Sequence, residues 1–217
     1  MAARAKRINW GKVALFVAGL GPLVGLVWLG VTGGLGAEPI KATIHYTGNW
    51  ALRILILALA VTPLHRATGL RWIMAQRRMV GLFAYFYVTL HMLSYVGLDQ
   101  FFHWPTIWED VIKRPFISIG MAAFLMLTVL AVTSTKRAVR RLGGKRWQAL
   151  HRLVYVAVVA GGLHFLIGVK ADVTEPLIYL TIIAVLLGLR FVPARVWRSL
   201  RDGLYMTRTN AQSRHLQ

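Results

Sequence analysis

Six stretches of this chain are continuously apolar, at about 11–33, 48–64, 79–98, 116–133, 149–169 and 175–193. A hydrocarbon core about 30 Å thick takes roughly 20 helical residues to cross. Within it every backbone N–H and C=O must be satisfied by the chain itself, which leaves helices and closed barrels as the only spanning structures. Barrel strands alternate lipid-facing and lumen-facing residues over about ten positions, and these runs do not alternate. The expected fold is therefore an all-α membrane protein, a six-transmembrane-helix bundle forming a single domain over 1–217. Tilt or snorkelling ends complete the shorter second and fourth spans.

Charge sets the expected orientation. Lys and Arg crowd the N-terminus (Arg4, Lys6, Arg7, Lys12), the second loop (Arg66, Arg71, Arg77, Arg78), the fourth loop (Lys136 to Arg146) and the C-terminal tail. The intervening loops carry Lys41, Lys113, Arg114 and Lys170 and most of the acids, including Asp99, Glu109, Asp110, Asp172 and Glu175. The basic side of a bilayer protein is its cytoplasmic side, so both termini are expected there. The net charge of +19 is spread over four segments flanking apolar helices; anionic lipid accounts for it, and no nucleic acid partner is implied. The first apolar run is longer than a signal-peptide core, which favours a retained first helix.

The chain has no cysteine, which excludes disulfides, thiol catalysis, iron–sulfur clusters and covalent c-type haem. The longest polar segment follows Pro193 and is too short to fold alone. Gly19-Leu20-Gly21 lies inside a span rather than between a strand and a helix, so a nucleotide-binding module would have to come from another protein. Pro105, Pro115 and Pro193 are read as loops or helix ends, and Pro63 as a helix terminus.

Three histidines sit within the apolar runs: His91, His151 and His164. An ionisable ring in hydrocarbon is costly and usually has a functional partner. With the topology above, His91 and His164 fall at matching depth in the outer half of the third and fifth helices, and His151 near the inner face. Thirteen residues separate His151 from His164, a rise of roughly 20 Å, so one haem cannot use both. A lone intramembrane histidine can simply hydrogen-bond a neighbouring helix. A depth-matched pair with a third histidine at haem spacing favours axial ligation of haem iron, whereas two histidines at one level lack the further ligands of a closed zinc site. Fourteen residues before His91, on the same helical face, lies Arg77, at the right level to oppose His151, or else an ordinary snorkelling arginine.

The stretches RRMVGLFAYFYVTLHMLSYV, LAVTPLHR and KRWQALHRLVYVAVVAGGLHFL resemble the ferric-reductase-like transmembrane family. The likeness is closest to its bacterial branch of haem-binding subunits of periplasmic protein-methionine-sulfoxide reductase systems. That resemblance covers nearly the whole chain. It implies b-type haem, one or two, with His91 and His164 as the outer ligands and His151 as an inner one, where the wider family's second inner histidine is replaced by Arg77. Arginine is a poor iron ligand, so an inner haem would be absent, five-coordinate on His151, or ligated unusually by Arg77 or His65.

The resemblance further implies an electron conduit in the bacterial inner (cytoplasmic) membrane. Electrons would enter from a quinone pool or a cytosolic flavin reductase and leave to a periplasmic molybdopterin-containing methionine-sulfoxide reductase catalytic subunit, which repairs oxidised envelope proteins. An FMN is implied by the family alone. A free-standing metal-chelate reductase or quinol oxidase of the same fold is the second reading, separable by its gene neighbours. A haem-free transporter or proton channel is the third, separable by haem content.

Other features take plainer readings. The tryptophans fall near span ends, as an interfacial belt does, and Tyr85, Tyr87 and Tyr95 read as packing. Arg53 is read equally as a partner for haem propionates and as a snorkelling side chain, and Arg152 as snorkelling. His45, His103 and His215 read as surface residues.

Overall fold

A computed structural model describes residues 10–199. Arg4, Lys6, Arg7 and most of the basic tail with His215 lie outside the described residues. Its helices are α1 (Trp10–Val31), α2 (Pro39–Thr68), α3 (Arg71–Leu93, extended by a π-helical turn over Ser94–Asp99), α4 (Trp104–Lys113), α5 (Pro115–Val132), α6 (Lys136–Leu142), α7 (Gly144–Leu150), α8 (Leu153–Gly168) and α9 (Thr174–Gly188), and residues 194–199 are helical again. The all-α multi-pass expectation holds. Among the described residues, five segments are long and apolar enough to cross a membrane: Trp10–Val31, Pro39–Thr68, Arg71–Asp99, Pro115–Val132 and Gly144–Gly168.

The sixth expected span is shorter than 175–193. Helix α9 has 15 residues, about 22 Å at 1.5 Å per residue, and it ends where Arg190 turns its side chain back into the bundle. Arg190 Nη2 donates to the Leu59 carbonyl at 3.0 Å and Nη1 to the Tyr155 hydroxyl at 2.8 Å.

The same contact explains why Pro63 does not end α2. Helix α2 runs 30 residues through Pro63, not the 17 of 48–64. Proline lacks the N–H that would bond the carbonyl four residues earlier. That carbonyl belongs to Leu59, and Arg190 takes the place of the missing donor. The helix stops instead at Gly69, whose φ of 72° is the left-handed cap glycine adopts freely; its N–H donates to the His65 carbonyl at 2.8 Å.

Helix α1 is also interrupted by a proline, Pro22, and repaired by a side chain. The Tyr87 hydroxyl donates to the Gly19 carbonyl at 2.8 Å and accepts from the Leu23 N–H at 3.0 Å. It is inserted into the backbone ladder, as side chains at helix irregularities do. Tyr87 is thus a packing and tethering residue, as read from the sequence. Tyr46 adds a second tie, its hydroxyl donating to the Pro22 carbonyl at 3.0 Å. Only Pro22 is buried along α1, so this helix sits at the periphery.

Helix α2 is central, with nine buried residues from Thr47 to Pro63. It packs chiefly against α3, while α5 packs against α8 and α8 against α9. Lipid is as apolar as leucine, so these contacts rest on close packing rather than on escape from water. Ala84 and Ala157, both 0% exposed, are the small residues that permit it.

Two further departures bear on the site. The expected helix 149–169 is broken at His151 and Arg152: the Arg152 N–H bonds the Ala149 carbonyl and the Tyr155 N–H the Arg152 carbonyl, three-residue spacings that tighten the chain there. The expected loop before Pro115 holds α4. Its Ile107 and Asp110 are buried while Trp104, Trp108 and Ile112 are exposed, the pattern of a helix lying in a membrane interface.

Candidate functional site

The N-terminal half of α2, the C-terminal part of α3 with its π-helical turn, and one face each of α5 and α8 line a cavity of about 390 Å3. Cofactor pockets run from about 300 to 1,000 Å3 and are mostly apolar with a few placed polar groups. This one is lined largely by residues such as Leu52, Leu55, Val88 and Leu127, with Lys41, Arg114 and Asp99 as its charged neighbours. His91 enters from α3 and His164 from α8.

The two rings stand 6.0 Å apart between centroids with their planes at 75°. Two metal–nitrogen bonds of about 2 Å each, plus the half-width of each ring, put the centroids of imidazoles on opposite sides of one iron about 6 Å apart. The tautomers are set by the partners. His91 Nδ1 donates to the Ile44 carbonyl at 3.0 Å, and His164 Nδ1 donates to the Phe116 carbonyl at 2.6 Å. A carbonyl has no proton to give, so in each ring Nδ1 carries the hydrogen, and in the neutral imidazole Nε2 holds the lone pair. This is the arrangement of a metal-ligating histidine, oriented through its other nitrogen. Two neutral Nε2 donors on an apolar cavity fit a haem; Lys41 and Arg114 at its rim are already paired, Lys41 with Glu38 at 2.6 Å and Arg114 with Asp110 at 3.0 Å.

His151 is elsewhere, and it does not line the cavity. Its ring stacks on Trp147 at 3.9 Å and 27°, and its Nε2 lies 3.2 Å from the Thr133 hydroxyl. Arg77, expected opposite His151, is exposed on α3. His65 is engaged in the α2–α3 turn, its Nδ1 donating to the Leu70 carbonyl at 3.0 Å.

Arg53 is directed at α9, not at the cavity: Nε donates to the Tyr179 hydroxyl at 2.6 Å and Nη2 lies 3.3 Å from Glu175 Oε1. Arg152 is exposed. His103 is exposed and contacts Thr106. His45 is exposed as expected yet also borders the cavity. The carbonyls of Ile44 and Phe116 were not legible in the sequence, because every residue carries a carbonyl and only the packing selects two of them.

Comparison with known proteins identifies the family. Residues 47–162 match the family described as ferric reductase like transmembrane component. The protein-methionine-sulfoxide reductase heme-binding subunit MsrQ of Rhodospirillum rubrum is 56% identical over 191 residues, covering 87% of this chain and 90% of the relative. The protein of the same name from Caulobacter vibrioides is 46% identical, covering 85% and 84%. That from Rhizobium meliloti is 44% identical and covers 97% of each chain. The chain belongs to the ferric-reductase-like transmembrane family and, within it, to the family of MsrQ subunits.

Proposed function

We propose that this chain is the haem b electron-transfer subunit of a methionine-sulfoxide reductase system. In this reading it is a single six-span domain over 1–217 in the bacterial inner membrane, with α9 as the sixth span and both termini cytoplasmic. The observation that carries it is the pair His91 and His164, each Nδ1 bonded to a backbone carbonyl, with rings 6.0 Å apart on one cavity. The haem supplies one-electron redox chemistry. His91 and His164 would hold the iron through Nε2, with the Ile44 and Phe116 carbonyls fixing the rings and the apolar lining excluding water. Lys41 and Arg114, which line the cavity, would meet the propionates by exchanging their present partners Glu38 and Asp110.

Electrons enter from a quinol or a cytosolic flavin reductase on the side bearing Arg77 and His151, which form the inner level. They leave on the side of His91 and His164 to a periplasmic molybdopterin-containing catalytic subunit, where the sulfoxide is reduced. An inner haem would use His151, with Arg77 or His65 as the unconventional second group. FMN is the further cofactor that family membership suggests, and flavin fluorescence of acid-denatured protein reads it directly.

The test is haem per polypeptide by pyridine haemochrome, with optical and electron paramagnetic resonance spectra. The purified protein should carry stoichiometric b-type, low-spin haem. His91→Ala and His164→Ala should each abolish the six-coordinate low-spin signal, because one axial ligand is lost. Haem-free protein, or a normal low-spin spectrum in both variants, would overturn the reading.

A further inference from the structure

The two histidine–carbonyl bonds share a feature that neither the fold nor the spacing of the histidines requires. His91 bonds the carbonyl of Ile44, and four residues later on α2 is Gly48. His164 bonds the carbonyl of Phe116, and four residues later on α5 is Gly120. The surrounding sequences, Ile44-His45-Tyr46-Thr47-Gly48 and Phe116-Ile117-Ser118-Ile119-Gly120, share no pattern apart from that glycine. The same device has been placed twice, on different helices, facing different partners.

Its physical basis is helix geometry. Each Cα–Cβ bond tilts toward the helix N-terminus, and each carbonyl points toward the residue four positions on. The Cβ of that residue therefore stands beside the carbonyl oxygen and shields it from a neighbouring helix. Glycine removes the shield. A Cβ placed on Gly48 would lie 3.1 Å from both Nδ1 and Cε1 of His91. One on Gly120 would lie 2.7 Å from Nδ1 and 2.9 Å from Cε1 of His164. Each imidazole occupies the space that a side chain would fill, with its donor nitrogen at the carbonyl behind it.

We propose that Gly48 and Gly120 are positioning residues that open the Ile44 and Phe116 carbonyls to the histidines, and so hold both rings as Nδ1–H tautomers with Nε2 turned to the cavity. Its consequence for the cofactor rests on the proposed haem ligation, but the tautomer assignment does not. A bond from Nδ1–H to a carbonyl raises the basicity of Nε2 and fixes the ring plane. Losing it lowers metal affinity by about ten- to a hundred-fold and, with a weaker donor on the iron, raises the reduction potential.

The experiment uses the full chain in membranes, with Gly48→Ala and Gly120→Ala compared with Gly81→Ala, a helical glycine whose Cβ would meet nothing within 4 Å. Nitrogen-15 spectra of histidine-labelled, haem-free protein report the tautomer. In the parent and in Gly81→Ala, His91 and His164 should be Nδ1-protonated. Gly48→Ala should change the His91 signal alone and Gly120→Ala the His164 signal alone, with the larger change in Gly120→Ala. In haem-loaded protein the same variants should raise the midpoint potential and shift the low-spin ferric signal. If Gly120→Ala does not accumulate, Gly48→Ala carries the test, since its added methyl asks for a ring movement of only tenths of an ångström.

Alanine is the better helix former, so a glycine without a positioning role would give unchanged histidine signals. That outcome overturns the proposal. Tautomer shifts in a protein that never binds haem would uphold the positioning role and remove the haem reading, so the two failures are distinguishable.

Discussion

The repair of α2 at Pro63 leads to a double-mutant prediction. Arg190 supplies a charged donor to the Leu59 carbonyl at 3.0 Å because Pro63 has no N–H to give it. Leu59 is 2% exposed, so water does not compete. A hydrogen bond to a charged group contributes about 1.5–3 kcal/mol. Arg190 also bonds Tyr155 at 2.8 Å and lies 4.6 Å from its ring, a cation–π contact of about 0.5–2 kcal/mol. Arg190→Leu should thus destabilise the protein by about 2–5 kcal/mol. In a Pro63→Ala background the backbone supplies its own N–H to Leu59, and only the Tyr155 part remains. The cost of Arg190→Leu should then fall by about 1.5–3 kcal/mol, the worth of the one bond that has become redundant. Reversible unfolding in mixed detergent micelles, applied to the parent, both single variants and the double, measures this coupling. Additivity within about 0.5 kcal/mol would refute the reasoning and leave Arg190 an ordinary end-of-helix cation.

Further outcomes follow from the topology and from the inner level. Reporter fusions after Trp72 and Leu142 should read cytoplasmic and those after Ile40, Thr106 and Asp172 periplasmic, since the basic segments alternate with weakly charged ones; the opposite readings for the second set would reverse the electron route. His151→Ala should retain the low-spin spectrum of the His91–His164 site, because His151 does not line that cavity, and should slow reduction by the cytoplasmic donor in stopped-flow mixing. Unchanged kinetics would take His151 out of the path. Tyr87→Phe should loosen α1, whose broken ladder at Pro22 the hydroxyl bridges, at a cost of about 1–3 kcal/mol. Faster proteolysis between α1 and α2 is the readout, and an unchanged rate would show that the ladder closes on its own.

Much of the architecture was legible because hydrocarbon imposes length and composition on whatever crosses it. The span at 116–133 differs from α5 by a residue at each end. The errors are where hydropathy and helicity part company. Polar residues such as Thr43, Thr47 and Tyr46 made α2 look as though it began late, yet Thr43 and Thr47 bond back to carbonyls of their own helix and Tyr46 bonds α1, so the helix passes through them. Helix α4 was missed because ten residues with exposed Trp104, Trp108 and Ile112 carry too short a signal to separate from a loop.

The histidine pair shows the same division. Sequence spacing and charge asymmetry were enough to bring His91 and His164 to one depth, because a helix rises a constant distance per residue and the bilayer fixes where it starts. They were not enough to say what each ring's second nitrogen would meet. The choice of the Ile44 and Phe116 carbonyls, the glycines that expose them and the donor that replaces the N–H of Pro63 were decided only by tertiary structure. Backbone carbonyls are chemically identical along a chain, and packing alone determines which of them a side chain from another helix can reach.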